Sequence, residues 1–376
     1  MGDDMATVNE VLFDELTAHS VDLQQYSEGV IRRMISLLNK TDADLAAELA
    51  AALERMPADS FTVERLERLL GSVRELNAAA YAAVTEALQG ELLELAAYEA
   101  GYQATLYQSA IPAAVQVRYS IASVAPNQVY SAAMSRPFQG SLLKDFAKEL
   151  GESRMAKIRN AIRVGYVEGK TAYEIVRAIR GSSAANYADG ILQRPRRDLM
   201  AVVNTAISHT ASVAREQFVS ANSELIKAEV WRSTLDARTT ADFCVPRDGK
   251  QYTPVTHKPI GHKVPWLQGP GRLHWNCRST STPVTKSWRE LGIPIDEISP
   301  SERASMDGQV PAETTYASWL QRQSPARQDQ VLGPERGRLI REGGLKLPDL
   351  YSPNGRYLTL EQLRERDAAA FAKLAA

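Results

Sequence analysis

Cysteine is almost missing from this chain: two residues, Cys244 and Cys277, in 376. That is too few for a disulfide framework at this length and suits a reducing compartment. Long apolar runs are missing as well, since no stretch approaches the roughly 20 residues that a membrane helix needs. The first twenty residues, MGDDMATVNEVLFDELTAHS, are acidic and amphipathic and lack a basic segment followed by an apolar one. No signal peptide is therefore expected. Gly2 is followed by Asp3, Asp4, Met5 and Ala6, which omits the hydroxyl residue of a myristoylation signal. Excess charge of one sign is lacking too. The 44 basic and 45 acidic side chains leave a formal net charge of −1, which removes any global attraction to nucleic acid or an anionic membrane. No phosphate-cradling loop of Walker type, no GxSxG elbow and no HExxH pair occurs, so the commonest hydrolase and nucleotide signatures are excluded.

What the chain does have is helical periodicity. Val8, Val11, Leu12 and Leu16, then Val30, Ile31, Met34, Ile35 and Leu38 recur at helical spacing, which places apolar residues on one helix face. Thr41 with Asp44 resembles a capping box that opens a further helix through Leu53, and Pro57 stops that helix or starts the next. Val63 to Leu76 continues the pattern into an Ala-rich helix ending near residue 104. Residues 1–110 are thus expected to form a helical arm or bundle. Residues 111–195 read as a helical connector punctuated by Pro112, Pro126 and Pro137, with two helices broken near Gly151. Thr171 and Glu174 form a capping box for the next helix, and Gly181 closes it. Arg194, Arg196 and Arg197 open a long helix in which His209 reads as a packing or surface residue. Residues 196–290 form a core module and residues 291–376 a mixed, mostly helical end. That end is expected to be irregular to about Glu313 and to finish in one helix over Thr359 to Leu374. The fold class expected is α+β, predominantly α-helical: long N-terminal helices, a small loop-rich β-containing module and short C-terminal helices.

Both cysteines, three of the five histidines and many of the Gly and Pro residues fall within residues 230–284. The segment LIKAEVWRSTLD alternates Ile226, Ala228 and Val230 with Lys227, Glu229 and Trp231 and reads as a strand. Short strands are expected at Gln251 to Thr253 and Arg278 to Val284. Cys244, His274 and Cys277 have the atom types and the HxxC spacing that zinc uses. A fourth ligand would come from Asp236, Asp242, His257, His262 or water. The alternative is a pair of buried reduced cysteines beside a hydrogen-bonded histidine. Asp236-Ala237-Arg238-Thr239-Thr240 reads as a turn in which the carboxylate accepts local N–H bonds. Asp248-Gly249 is a hairpin signal, and Asn276 and Arg278 suit a tight, hydrogen-bonded loop around Cys277.

WRSTLDARTTADFCVPRDGKQY followed by GPGRLHWNCRSTSTPV resembles the signature of the phage head morphogenesis family, minor head proteins similar to the F protein of phage Mu. The family pattern is a strand ending in Asp-x-Arg-Thr, a Cys or His, an Asp-Gly turn, and then Pro/His-x-Asn-Cys-Arg. It falls here on Asp236, Arg238, Thr239, Cys244, Asp248, Gly249, His274, Asn276, Cys277 and Arg278. The resemblance extends from about Arg196 to Leu363. Many relatives carry Cys-x-x-Cys before the Asp-Gly turn and some end in Cys-Arg-Cys. In this chain Thr240 or Ala241 stands near the first position and Ser279 replaces the last. The resemblance implies a non-enzymatic virion protein, made in the host cytoplasm and located in the phage head at the portal vertex, with several copies per virion. Its implied partners are the portal protein, the major capsid protein or scaffold, and possible packaged DNA. No membrane is implied during assembly, and the only implied cofactor is structural zinc. Its helical arms would dock on partners and support head assembly, DNA packaging or delivery. Two other readings stay open. One is a metal-dependent hydrolase or nuclease using Cys244, His274 and Cys277, and the other is a DNA-contacting ejected virion protein using Arg194, Arg196 and Arg197.

Overall fold

The computed structural model describes residues 7–56, 62–185, 187–293 and 314–375, and the backbone of 302–305 and 308–311. Pro57 lies outside these residues. The first half is helical: α1 (Val8–Glu54), α2 (Val63–Leu69), α3 (Gly71–Ala110), α4 (Ala113–Gln116), α5 (Pro126–Ser135), α6 (Leu143–Val167), α7 (Ala172–Arg180) and α8 (Gln193–Ala221). Four strands follow, β1 (Ile226–Arg232), β2 (Gln251–Tyr252), β3 (Pro259–Ile260) and β4 (Thr280–Thr285). A hairpin of β5 (Glu302–Ser305) and β6 (Gly308–Pro311) precedes α9 (Tyr316–Gln321), α10 (Pro325–Leu332), α11 (Pro334–Arg341), α12 (Leu360–Arg366) and α13 (Ala368–Ala375). The fold is predominantly α-helical with a small antiparallel sheet, as the periodicities require. Among the described residues no helix is long and apolar enough to cross a membrane.

Several boundaries differ from the sequence reading. Helix α1 runs through Thr41 without interruption. The Thr41 hydroxyl donates back to the Leu38 carbonyl at 2.9 Å, an i−3 bond that a helix interior tolerates. Asp42, the next residue, is buried and accepts hydrogen bonds from Arg154 and Arg196. Helix α6 is likewise continuous at Gly151. There α3 packs against it, with the Asn77 amide donating to the Gly151 carbonyl at 3.1 Å. The last helix is split instead: Asp367 leaves helical geometry, and its carboxylate accepts from the Ala370 N–H at 3.0 Å, so it caps α13. The segment before Glu313, expected to be irregular, contains the β5–β6 hairpin.

The chain packs as two compact units: Met1–Gln24 with Leu95–Ala133 and Ser208–Ala376, and Gln25–Glu94 with Met134–Ile207. These units cut across the four consecutive segments read from the sequence, because α1, α3 and α8 each divide their residues between the two. Among the described residues the second unit is built from helices, with one isolated bridge between Phe138 and Ser141. Its core joins Leu45, Leu49 and Leu53 of α1 to Leu66 and Leu70, then to Ile158 and Ile162 of α6 and Ile175 and Ile179 of α7. Thr171 and Glu174 cap α7 reciprocally, and Gly181 ends it at φ +92°.

The first unit contains the sheet, in the order β3-β2-β1-β4, antiparallel throughout. Central β1 pairs Ala228 with Val284 and Val230 with Thr282 of β4. Pro283 is tolerated because β4 is an edge strand. The inside–outside alternation expected of β1 is not kept, since Glu229 and Trp231 are as buried as Ala228 and Val230. Both faces of the sheet are covered. On one side, Leu12 and Leu16 of α1, the Ala96, Ala100 and Ala104 turns of α3, and Phe218 of α8 share a core with Ile226. Trp231 packs instead with Tyr252, Trp266, Cys244 and Cys277. The C-terminal helices gather around Trp319, Leu339, Leu350 and Leu363 and extend to Leu235 and Val245 of the strand module.

Candidate metal centre

Two long excursions leave the sheet, one between β1 and β2 and the other between β3 and β4. The first carries Cys244 and the second carries His274 and Cys277. Cys244 is placed by an N–H bond to the Thr240 carbonyl at 3.0 Å and stands just before a single 3-10 turn, Val245–Arg247. His274 and Cys277 are brought together by a tight turn in which the Cys277 N–H donates to the His274 carbonyl at 3.1 Å. Asn276 supplies the left-handed conformation of that turn, at φ +56°. Asparagine tolerates it better than most residues.

The three ligand atoms lie within 4.8 Å of one another. The two sulfurs are 3.8 Å apart, and Cys244 Sγ is 3.0 Å from His274 Nε2. A tetrahedral zinc with Zn–S bonds of about 2.3 Å would separate its sulfurs by about 3.8 Å. His274 Nδ1 is 2.9 Å from the Trp275 carbonyl. A carbonyl can only accept, so Nδ1 carries a proton and Nε2 is the ring atom that faces the sulfurs. Both cysteines are buried, and the pair ionises unevenly. Hydrogen bonding with Cys277, together with burial, raises the Cys244 thiol well above its ordinary value. Burial also opposes ionisation of Cys277, yet its bonds to Cys244 and His274 and the histidine charge hold it well below. Burial disfavours the imidazolium of His274, but the bond to Cys277 carries the net shift upward. The first proton thus leaves the pair readily and the charge sits beside the imidazole, a donor set suited to a soft divalent ion.

None of the side chains considered for a fourth ligand joins the group. Asp236 is engaged by Arg278, His257 bonds Glu229 at 3.1 Å, His262 bonds the Gln251 carbonyl at 2.8 Å, and Asp242 is exposed. On the ring atom that faces the sulfurs, Thr240 Oγ1 lies 3.1 Å from Nε2. Ser279 makes a side-chain hydrogen bond to Cys244. Thr240 and Ser279 therefore both border the cluster. Among the described residues no carboxylate joins the three ligand atoms.

The remaining signature residues form one interlocked frame. Asp236 accepts from the Arg238 N–H at 2.9 Å and takes both guanidinium arms of Arg278, one of them at 2.8 Å. Burial opposes that charge, but Arg278 overrides it and holds the Asp236 carboxyl below the usual range. Thr239 donates to the Thr234 carbonyl, while the Thr234 hydroxyl donates to the Arg278 carbonyl at 3.1 Å. Asp248 and Gly249 occupy the centre of a β-turn closed from Lys250 N–H to Arg247 carbonyl at 3.0 Å. Gly249 has φ +74°, the conformation a type II turn demands. The Asp248 carboxylate then ties strand to helix, accepting from Ser233 N–H at 2.8 Å and from Tyr316 N–H at 2.7 Å. Arg238 projects outward, 83% exposed and 4.0 Å from Asp236, and Asn276 is exposed as well.

Sequence reasoning passed over other parts of the site. Arg247 is buried and donates to the Pro265 carbonyl at 2.9 Å, clamping one loop to the next. Glu229, fully buried on β1, is held by His257 and Ser281, and His257 stacks on Trp266 at 4.5 Å. A single arginine or glutamate in a mixed stretch carries no local signal for such a role. Of the arginines opening α8, Arg196 is bound to Asp42 while Arg194 and Arg197 are exposed. His209 is a packing residue, buried with Nε2 2.9 Å from the Ala133 carbonyl. Compared with family models, curated proteins and solved structures, the chain matches none.

Proposed function

We propose that the chain is a structural protein of the phage minor head type. It would join the portal and the major capsid protein or scaffold during head assembly and reside in the virion, with its strand module pinned by a zinc ion on Cys244, His274 and Cys277. The observation that carries the reading is the use of the signature residues. Asp236, Thr239, Asp248, Asn276 and Arg278 are spent on backbone groups, on a tight turn or on one another. Such residues specify a fold and leave little for catalysis. A zinc held there would lock two loops together, and among the described residues no carboxylate joins its three ligands, which disfavours the hydrolase reading. The surface offers partners something to hold: Phe243 and Trp275, each 39% exposed, flank His274, and aromatic side chains of this kind anchor interfaces.

The test uses the intact chain, because α1 and α3 supply core residues to both units and their removal would unfold what is being assayed. Co-expressed with the portal and major capsid proteins of the same phage, the chain is expected to co-isolate with portal and to appear in assembled heads. Heads of unchanged composition without it, and no portal complex, would overturn the proposal. Binding of DNA in place of portal, weakening steeply with salt, would favour the ejected-protein reading.

A further inference from the structure

Apart from the metal cluster, the first unit holds a cavity of about 680 Å3 where the strand module meets the C-terminal helices. Its size is that of sites that take a small ligand or a short chain segment. Its walls are stiff and largely apolar, with Pro246, Pro348 and Pro353 among them, so little conformational freedom would be lost on binding.

Its charges are unevenly satisfied. Lys250, Lys263 and Arg366 all line the cavity, and none makes an ion pair among the described residues. Arg366 donates only to carbonyls, those of Asp349 and Tyr351. The carboxylates of the cavity wall are turned elsewhere. Asp248 accepts from the Ser233 and Tyr316 N–H groups, and Asp349 accepts from the Lys346 N–H at 2.8 Å. His262 adds no charge: Nε2 donates to the Gln251 carbonyl, Nδ1 accepts from Val264 N–H at 3.2 Å, and burial lowers its pKa. Three cations thus border one cleft, Lys263 and Arg366 exposed and Lys250 half-buried without a counter-charge, an arrangement that favours bringing an anion in.

We infer that this cavity binds a short acidic peptide segment of a partner protein, its carboxylates on Lys250, Lys263 and Arg366 and its apolar side chains against the proline walls. Nucleic acid fits less well, because the proline walls offer no base-stacking platform. The inference does not depend on the head-protein reading.

Calorimetric titration of the intact protein with N-acetyl-Leu-Glu-Leu-Glu is expected to show saturable binding that weakens as salt rises. Lys250→Gln with Lys263→Gln should weaken it at least about tenfold while leaving the unfolding midpoint unchanged. Lys263→Glu, at an exposed position, repeats the test should the double variant fail to fold. Absence of binding, equal binding of the Leu-Gln-Leu-Gln control, unchanged affinity in the variants, or tighter binding of an oligothymidylate would each overturn the inference.

Discussion

Asp236 and Arg278 hold the two loops that bring Cys244 to Cys277, so their pairing is the residue-scale support of the site. Both side chains are mostly buried, 13% and 17% exposed. Asp236→Asn keeps the shape and removes the charge, and is expected to lower stability by about 2 kcal/mol at pH 7, the scale of a charge-assisted hydrogen bond. Because the folded-state carboxyl is held below its ordinary value, the contribution is complete above about pH 3.9 and is lost as pH falls through the depressed value. Urea unfolding at pH 7 and pH 3 checks both parts; an equal loss at both would assign the effect to packing. For the cluster itself, metal analysis of the purified protein is expected to find about one zinc per chain, and Cys277→Ala to abolish it. Thr240→Cys places a sulfur where Oγ1 now lies 3.1 Å from the imidazole, and should make the zinc harder to strip with chelator. Zinc-free wild-type protein would remove the metal from the account. The pairing of Cys244 with the HxxC turn was legible in the sequence, since two cysteines and a histidine at ligand spacing are rare in so cysteine-poor a chain. The Asp236–Arg278 bond was not, because it spans 42 positions and each residue alone fits a local turn.

At the scale of elements, helix type was legible and helix ends were not. A capping box needs a non-helical residue at its first position as well as the correct side chains. Thr171 meets that condition; Thr41 does not, and its hydroxyl turns back into α1. Buried polar side chains on α3 are a second feature invisible to periodicity. Glu99, Gln103 and Tyr107 stand one turn apart and are essentially fully buried. Glu99 bonds His19 at 2.6 Å, but neither amide atom of Gln103 nor the Tyr107 hydroxyl has a partner among the described residues. Burial accordingly pushes the Tyr107 hydroxyl well up. Leaving both amide atoms of Gln103 unmet costs about 1–3 kcal/mol, so Gln103→Leu is expected to raise the urea midpoint at unchanged m-value. A loss of stability in that variant would show that the amide is bonded in solution.

For the whole molecule, composition excluded a disulfide scaffold and a membrane helix. Apolar spacing determined a mostly helical chain with a small strand module, and the density of Cys, His, Gly and Pro marked where the candidate site lies. These are local properties: each is set by residues within a few turns or one short loop of one another. Only the tertiary structure decided that α1 is one helix and that its two ends belong to different units. Tertiary packing also buries both faces of β1, turns Asp248 between a strand and α9, and leaves Lys250, Lys263 and Arg366 together in one cavity. The reason is physical: a side chain's partner is chosen by burial and hydrogen-bond demand among groups far apart in sequence. Periodicity carries no record of that choice.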